Sequence, residues 1–410
     1  MASNTTSLAL MPQTLELPGS LSASIRLFAL GALLTFSFVP MSFLPGLTYG
    51  YINYSQIPLF ALCVAVLCCY LVRFETDLLA SLILIFLIAI SQAIGTIHSP
   101  AAHKSFVTPL IFLNSLAIAP AIMLLARPLP VSTLIRLVHR IVNWVLIFLA
   151  VECVTRLILS PIIGANADTT DAFYLYKSSL FFVDSNFVGI EILCLLSIMF
   201  AFRGKIKRNR WLLAYFLLFA SMSRASIVAG ICQLVMYIFW RWRVWTFLGM
   251  LAAQVLIIGK LFTIYVTQGS EFVNSIDGSL SSKFFILTLM MDAYHEADTA
   301  QKFFGVGAGN FINLFGILSA HNIVVTFVTE LGIGGSLLFA FYIWILSRKC
   351  PLSIYLLVLP ILINGFSLVS AWAMPYFFAA LGLLAALRGV SRDGIGAPEN
   401  IAAGRKTSKG

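Results

Sequence analysis

Charged residues are scarce in this chain. Only 10% of its 410 residues are Asp, Glu, Lys or Arg, whereas a soluble globular protein has about 25%. Hydrophobic residues make up 60% of the sequence, against about 45–50% in soluble domains. This composition excludes a disordered chain, a coiled coil, a secreted disulfide-rich domain and an ordinary soluble enzyme. It predicts an all-α polytopic membrane protein.

Sequence signals for disulfides and metal sites are also lacking. The seven cysteines form no Cys-x-x-Cys pair, and most lie inside apolar runs, which is typical of small core residues. No cluster of metal-ligating residues is present, so we expect no metal and no other cofactor. The first 24 residues lack a basic segment followed by an apolar core and a cleavage site, so we expect no removable signal peptide.

Long apolar runs recur along nearly the whole chain. Runs of about 20 residues can cross the ~30 Å hydrocarbon layer of a membrane as helices. We therefore predict a single bundle of about twelve transmembrane helices. The predicted spans cover residues 25–44, 52–72, 78–97, 106–126, 134–158, 187–202, 211–222, 225–240, 244–266, 322–346, 351–371 and 375–390.

The segment 211–240 is predicted to form an outward and a returning helix, with a break at Ser221–Arg224. Its first part, 211–222, is too short to cross a membrane alone. The break also places the basic clusters on one side of the membrane, as is typical of cytoplasmic loops. The cluster over Arg203–Arg210, for example, has five basic residues. Both termini are then predicted to be cytoplasmic.

This topology divides the chain into three parts and leaves two substantial outward loops. The parts are a cytoplasmic N-terminal tail (1–24), the helical bundle (25–390) and a disordered basic cytoplasmic tail (391–410). The outward loops, about 159–186 and 267–321, are polar and contain acidic residues. In the second loop the apolar stretch Phe284–Met291 predicts a short helix on the membrane surface or over the bundle.

Several polar residues at the predicted outer face could perform chemistry. Arg224 either snorkels from a helix end or binds an anion, because a guanidinium forks onto phosphate oxygens and helix N–H groups add positive potential. His321 and Asn322 open the tenth span, where the helix dipole favours a neutral imidazole that can accept a proton. Glu330 lies nine residues after His321 and faces largely away from it. Inside an apolar helix it predicts a functional or structural polar contact.

Other candidates lie near the same face. Asp184 and Asn186 open the sixth span, and Asp184 either caps that helix or binds a sugar hydroxyl. Glu152 precedes Arg156 by one helical turn, so a buried ion pair is the structural alternative for Arg156. The further cationic candidates for binding a substrate are Arg156, Lys177 and Lys283.

The glycine-rich stretch Gly305–Gly309 resembles a nucleotide-binding loop only superficially. No strand precedes it and no Gly-Lys-Ser/Thr follows it. Tight backbone turns, or a close approach of the backbone to a ligand, explain the glycines better.

Several motifs together resemble the signature of the O-antigen polymerase/ligase superfamily. Ser223-Arg-Ala-Ser226 is similar to its Ser-Arg element, and Asp184-Ser-Asn-Phe187 to its entry into a middle helix. The resemblance covers about 170–345 well and the whole chain by topology. Its remaining motifs are, in order, Phe304-Gly-Val-Gly-Ala-Gly-Asn-Phe311, Ser319-Ala-His-Asn322 and Glu330-Leu-Gly-Ile-Gly-Gly335.

This resemblance implies a metal-independent glycosyltransferase of the GT-C type in a bacterial inner membrane. Such enzymes take glycans from undecaprenyl pyrophosphate at the periplasmic face, where an acceptor hydroxyl attacks the anomeric carbon and the lipid pyrophosphate leaves. Carried over to this chain, Arg224 binds the pyrophosphate and His321 acts near the acceptor. Lys283 stands where the family often has Arg, and a Lys ammonium is a point charge that does not bind in a bidentate fashion.

Three functions stay open at this point. A polymerase uses a second lipid-linked repeat unit as acceptor, and the segment 173–186 resembles polymerases most. A ligase transfers the glycan to lipid A–core instead. A secondary transporter also has many spans with intramembrane charges, but here the polar residues gather at the outer face and no inverted repeat is visible. The expected partners are the lipid-linked glycan, the acceptor lipid, membrane lipids and a chain-length regulator, and not nucleic acid.

Overall fold

A computed structural model describes most of the chain, and helices account for nearly all of the described residues. A short antiparallel ladder pairs Ser178–Ser179 with Val183–Asp184. The all-α class therefore agrees with the prediction. The described residues are 22–39, 55–69, 75–101, 103–163, 175–179, 181–271, 273, 278–316, 322–366 and 374–387.

The helices follow the apolar runs of the sequence. Those of the first part are α1 (Ala23–Phe38), α2 (Gln56–Cys69), α3 (Thr76–His98), α4 (Val107–Ala126), α5 (Val131–Ile163), α6 (Ser185–Ala201), α7 (Arg208–Ala220), α8 (Arg224–Ile238) and α9 (Arg243–Gln268). Those of the second part are α10 (Gly278–Glu296), α11 (Thr299–Phe304), α12 (Phe311–Phe315), α13 (Ile323–Glu330), α14 (Gly332–Ser347), α15 (Ser353–Gly365) and α16 (Pro375–Ala386).

Among the described residues, four helical segments are long and apolar enough to cross a membrane. A fifth is obtained when α13 and α14 are counted together as one bent span. Helices lie over all twelve predicted spans, but six of them are apolar helices of only 10–17 residues. The helices of the described part of the chain thus indicate a membrane protein with four candidate spans, or five with the bent pair, and the number of twelve stays a prediction. The four segments are Thr76–His98, Val107–Ala126, Val131–Ser160 and Trp240–Gln268.

The predicted span over 322–346 is not a straight helix. The helix axis bends by 120° between α13 and α14. The last residues of α13, Thr326–Glu330, form a π-helical turn, and Gly332 begins α14 with a φ of +67°. That left-handed conformation is readily adopted by glycine. The bend turns α13 away from the axis of α14 and towards the glycine-rich stretch.

The chain reverses between α7 and α8, as the sequence predicts. Helix α7 ends at Ala220, and Met222 has a φ of 55°, which is uncommon for a residue with a side chain. The Ser223 hydroxyl accepts a hydrogen bond from the Ser226 N–H and so caps α8. Leu218 packs against Gly230, which shows that the two helices run back along each other.

The core of the bundle lies around α4, α6 and α16. Every residue of α6 from Phe187 to Ala201 is buried, and α16 packs against both α4 and α6. The backbones of α4 and α16 approach so closely that a Cβ at Gly382 would lie 2.6 Å from the Ala119 carbonyl oxygen. By contrast, α9 buries none of its residues and lies at the edge.

Helices α10, α11 and α12 lie in the long predicted outward loop. Helix α10 includes the predicted apolar stretch and packs over one end of the bundle through Ile286 and Val325. The other predicted loop is shortened because α5 continues to Ile163. Except for residues 22–24, both predicted tails lie outside the described residues, and the orientation of the chain stays a prediction.

Candidate functional site

Two of the predicted site segments meet where α6 and α8 begin. The Ser223 hydroxyl donates a hydrogen bond to Asn186 Oδ1 at 2.7 Å and lies 2.8 Å from the Ser226 hydroxyl. Asn364 of α15 donates from Nδ2 to the Ser226 hydroxyl at 2.6 Å. These bonds join α6, α8 and α15 through polar side chains that are largely buried. They form a rigid frame for the residue that follows Ser223.

That residue is Arg224, the first of α8. Its side chain is exposed, while the Ser223 cap holds its backbone in place. The first N–H groups of a helix carry partial positive charge, and a guanidinium adds a full charge with a planar set of donors. The arrangement is suited to binding an anion.

Asp184 caps α6 and also pairs with another predicted site residue. Its Oδ1 accepts a hydrogen bond from the Asn186 N–H at 2.7 Å, which confirms the predicted cap. Its Oδ2 lies 3.4 Å from Lys177 Nζ. The ion pair holds the predicted cation beside the start of α6, and the substrate-binding roles of both residues stay predictions.

Arg156 is buried inside the bundle. Its exposed fraction is 1%. Its Nε donates to Glu152 Oε1 at 3.0 Å, and its Nη1 and Nη2 donate to the carbonyl oxygens of Tyr176 at 2.9 Å and Ala220 at 2.5 Å. Ser179 donates to the same Glu152 oxygen at 2.7 Å. Every guanidinium nitrogen is thus bound to protein, which favours the structural ion pair over the predicted binding of a substrate.

Glu330 is likewise buried, with 1% of its surface exposed. Its Oε1 accepts a hydrogen bond from the Phe311 N–H at 3.3 Å, and its backbone oxygen accepts one from Gly307 at 3.0 Å. The N–H of Val306 donates to the Thr329 carbonyl at 2.9 Å. Glu330 therefore holds the glycine-rich stretch against the end of α13, which is a structural contact.

The glycines of this stretch permit the close approach. Gly305, Gly307 and Gly309 have φ values of 73°, 87° and 75°. A Cβ at Gly305 would overlap the backbone of Glu330, and one at Gly307 would overlap the Thr96 hydroxyl. Tight turns and backbone packing thus explain the glycines, as predicted.

We expect Gly305→Ala to lower the unfolding temperature in detergent more than Gly316→Ala does. The two glycines have φ values of 73° and 68°, so both substitutions incur a similar backbone strain of about 1–3 kcal/mol. Only at Gly305 would the new Cβ also meet backbone atoms, since no described residue lies within 4 Å of a Cβ at Gly316. Equal unfolding temperatures for the two variants would contradict this packing.

Asn322 lies at the start of α13. It is fully buried, and its Oδ1 accepts a hydrogen bond from the Val324 N–H at 2.8 Å. Among the described residues its Nδ2 has no hydrogen-bond partner. The next residue, Ile323, packs against Gly365 at the end of α15. His321, the predicted base, lies outside the described residues.

The segment of α10 that carries Lys283 packs at the same end of α15 through the next residue along the helix. Phe284 is fully buried, and its ring centroid lies 5.9 Å from that of Phe366. Phe366 directly follows the last residue of α15, two positions after Asn364. The last turn of α15 therefore connects the segments that carry Lys283, Asn322 and Arg224.

No motif of the sequence points to a cavity that the structure shows in this region. It measures about 580 Å³ and opens at the C-terminal end of α10. Its polar lining includes Asp292, Tyr294 and Glu296 from that helix and the buried Thr329 from α13. The only signal in the sequence is the turn of acidic residues after the apolar part of α10. Helix α13 faces this acidic turn of α10 because of the bend between α13 and α14, which the sequence does not predict.

The described residues thus place four of the predicted site segments around the last turn of α15 and give Arg156 and Glu330 structural roles. Within the same ranges, no three or more His, Cys, Asp or Glu side chains form a group that could hold a metal ion. A scan against known protein families and a search of curated proteins both find no match to this chain.

Proposed function

We propose that this chain is a membrane glycosyltransferase that polymerises oligosaccharide repeat units carried on undecaprenyl pyrophosphate at the periplasmic face. The observation that carries the proposal is the packing of the segments that carry Arg224, Lys283, Asn322 and Asp184–Asn186 around the last turn of α15. These segments are far apart in the sequence. They are also segments on which the resemblance to the polymerase/ligase superfamily rests.

The two cations are suited to different parts of the pyrophosphate. Arg224 presents a planar set of N–H donors that can bind two phosphate oxygens at once, next to the N–H groups that begin α8. Lys283 adds a compact charge that tolerates several geometries. Both act on the group that leaves, where negative charge grows during the reaction.

The proposed reaction is a single group transfer. The oxygen of an acceptor hydroxyl forms a bond to the anomeric carbon, and the bond from that carbon to the pyrophosphate oxygen breaks. The electron pair of the broken bond leaves with undecaprenyl pyrophosphate. The hydroxyl proton passes to the imidazole of His321, which acts as general base. A polymerase and a ligase share these steps and differ only in the acceptor.

A reconstituted assay tests the proposal. Liposomes contain the purified protein and its native undecaprenyl-pyrophosphate repeat unit, with or without lipid A–core. A ladder of products from the donor alone supports a polymerase, whereas a product formed only with lipid A–core means a ligase. We expect His321→Ala and Arg224→Ala to form neither product while eluting as folded protein. Normal ladders from both variants would refute the site.

One observation favours a second candidate function. The 120° bend between α13 and α14 resembles the discontinuous helices that form substrate sites in secondary transporters. A transporter would move the lipid-linked glycan across the liposome membrane without forming a new glycosidic bond. It would also tolerate the loss of His321. Glycan flux without any ladder, retained in His321→Ala, would therefore favour this function over the transferase.

A further inference from the structure

We propose that the cavity at the C-terminal end of α10 binds a saccharide that is neutral or carries an amino group. The inference rests on the proposed function, because it assigns the cavity as the glycan subsite of that transferase. The saccharide is either the acceptor unit or the growing chain, since both present the same hydroxyl-rich surface.

The size and lining of the cavity suit such a ligand. Its volume is about 580 Å³, within the range of about 300–1,000 Å³ that is typical of small-molecule sites. Apolar walls with a few convergent polar groups are also typical of these sites. The apolar walls come from Pro100, Val306, Leu314, Phe315 and Val328.

The charge of the cavity selects among ligands. Asp292 and Glu296 are one helical turn apart on α10, and both are exposed. Within the described ranges, neither carboxylate is held in a hydrogen bond or an ion pair with another residue. Carboxylates accept strong hydrogen bonds from hydroxyl and ammonium groups and repel phosphates and acidic sugars. The cavity therefore favours the sugar part of the substrate over its pyrophosphate.

A buried hydroxyl at the cavity points to a polar ligand. Thr329 lines the cavity and is 8% exposed. Its Oγ1 has no hydrogen-bond partner among the described residues. Buried polar groups in native proteins nearly always have a partner, either in the protein or in bound water. A sugar hydroxyl, or a water that a sugar holds in place, would satisfy this group.

The test measures binding without turnover. The probe is the lipid-free repeat-unit oligosaccharide, released by mild acid from its undecaprenyl-pyrophosphate carrier and titrated calorimetrically into the purified full-length protein. We expect Asp292→Asn/Glu296→Gln to weaken binding by at least about tenfold, because charged hydrogen bonds are lost. Thr329→Val should weaken it less. The control is Glu271→Gln, an exposed carboxylate outside the cavity lining, which should bind like the unmodified protein.

Equal affinity in all variants, or no binding by the unmodified protein, would overturn the inference. Turnover in the liposome assay then separates the two sources of saccharide. A raised KM for the repeat unit in the double variant identifies the acceptor, and shorter products at unchanged KM identify the growing chain. Binding that the double variant loses, in a protein that forms no glycosidic bond, would support the cavity and refute the proposed function. A normal ladder from the unmodified protein, with unchanged binding in the double variant, would support the proposed function and refute the cavity as its glycan subsite.

Discussion

Arg224→Ala is expected to lower the rate of glycan polymerisation by about 10²–10³-fold, the usual effect of removing a group that stabilises transition-state charge. In this account the guanidinium binds the pyrophosphate as it leaves the anomeric carbon. The side chain is exposed, and the Ser223 cap of α8 does not depend on it. The variant should therefore fold normally and melt near the temperature of the unmodified protein. Product ladders in liposomes measure the rate.

The matched control is Arg208→Ala. Arg208 is also the first residue of a helix and is also exposed, but it begins α7, at the far end of the helix pair from the turn that carries Arg224. It should retain the full rate. Equal losses in the two variants would mean that the basic charge of the chain matters in general, and full activity in Arg224→Ala would remove this residue from the site.

Arg156→Ala is expected to affect folding more than any other single substitution considered. It leaves the Glu152 carboxylate buried, with the Ser179 hydroxyl as its remaining hydrogen-bond donor among the described residues, and it removes the bonds to the carbonyl groups of Tyr176 and Ala220. Breaking a buried ion pair in this way typically costs about 3–5 kcal/mol. We expect a low yield and a lower unfolding temperature in detergent.

Removing both charges provides the control. In Glu152→Leu/Arg156→Met no unpaired charge is left, and replacing a buried pair with apolar residues is often neutral. The double variant should therefore recover much of the lost stability and some activity. If Arg156→Ala were instead as stable as the unmodified protein but inactive, Arg156 would bind substrate, as the sequence alone had suggested.

The sequence predicts helix positions well because apolar runs and helices coincide. It also predicts the reversal at Ser221–Arg224, since 211–222 is too short to cross a membrane. The bend before Gly332 escapes this reasoning, because the residues on both sides are apolar and periodicity contains no information on the direction of the axis. The one feature of the sequence that marks the bend is Gly332, whose φ of +67° interrupts the helix.

The site is only partly predictable for a similar reason. The cap at Asp184 is a contact with a residue two positions along the chain, so the local sequence pattern is sufficient to predict it. The burial of Arg156 depends on the carbonyl groups of Tyr176 and Ala220, which only tertiary packing brings to it. The cavity at the C-terminal end of α10 likewise exists because α13 folds back towards that end of α10.

The most direct test of the proposed function is the release of free undecaprenyl pyrophosphate in the liposome assay, measured by mass spectrometry together with the glycan products. The account predicts one released lipid pyrophosphate for each new glycosidic bond, and a loss of both in Arg224→Ala but not in Arg208→Ala. Glycan that reaches the opposite leaflet still attached to its lipid, with no release, would contradict it.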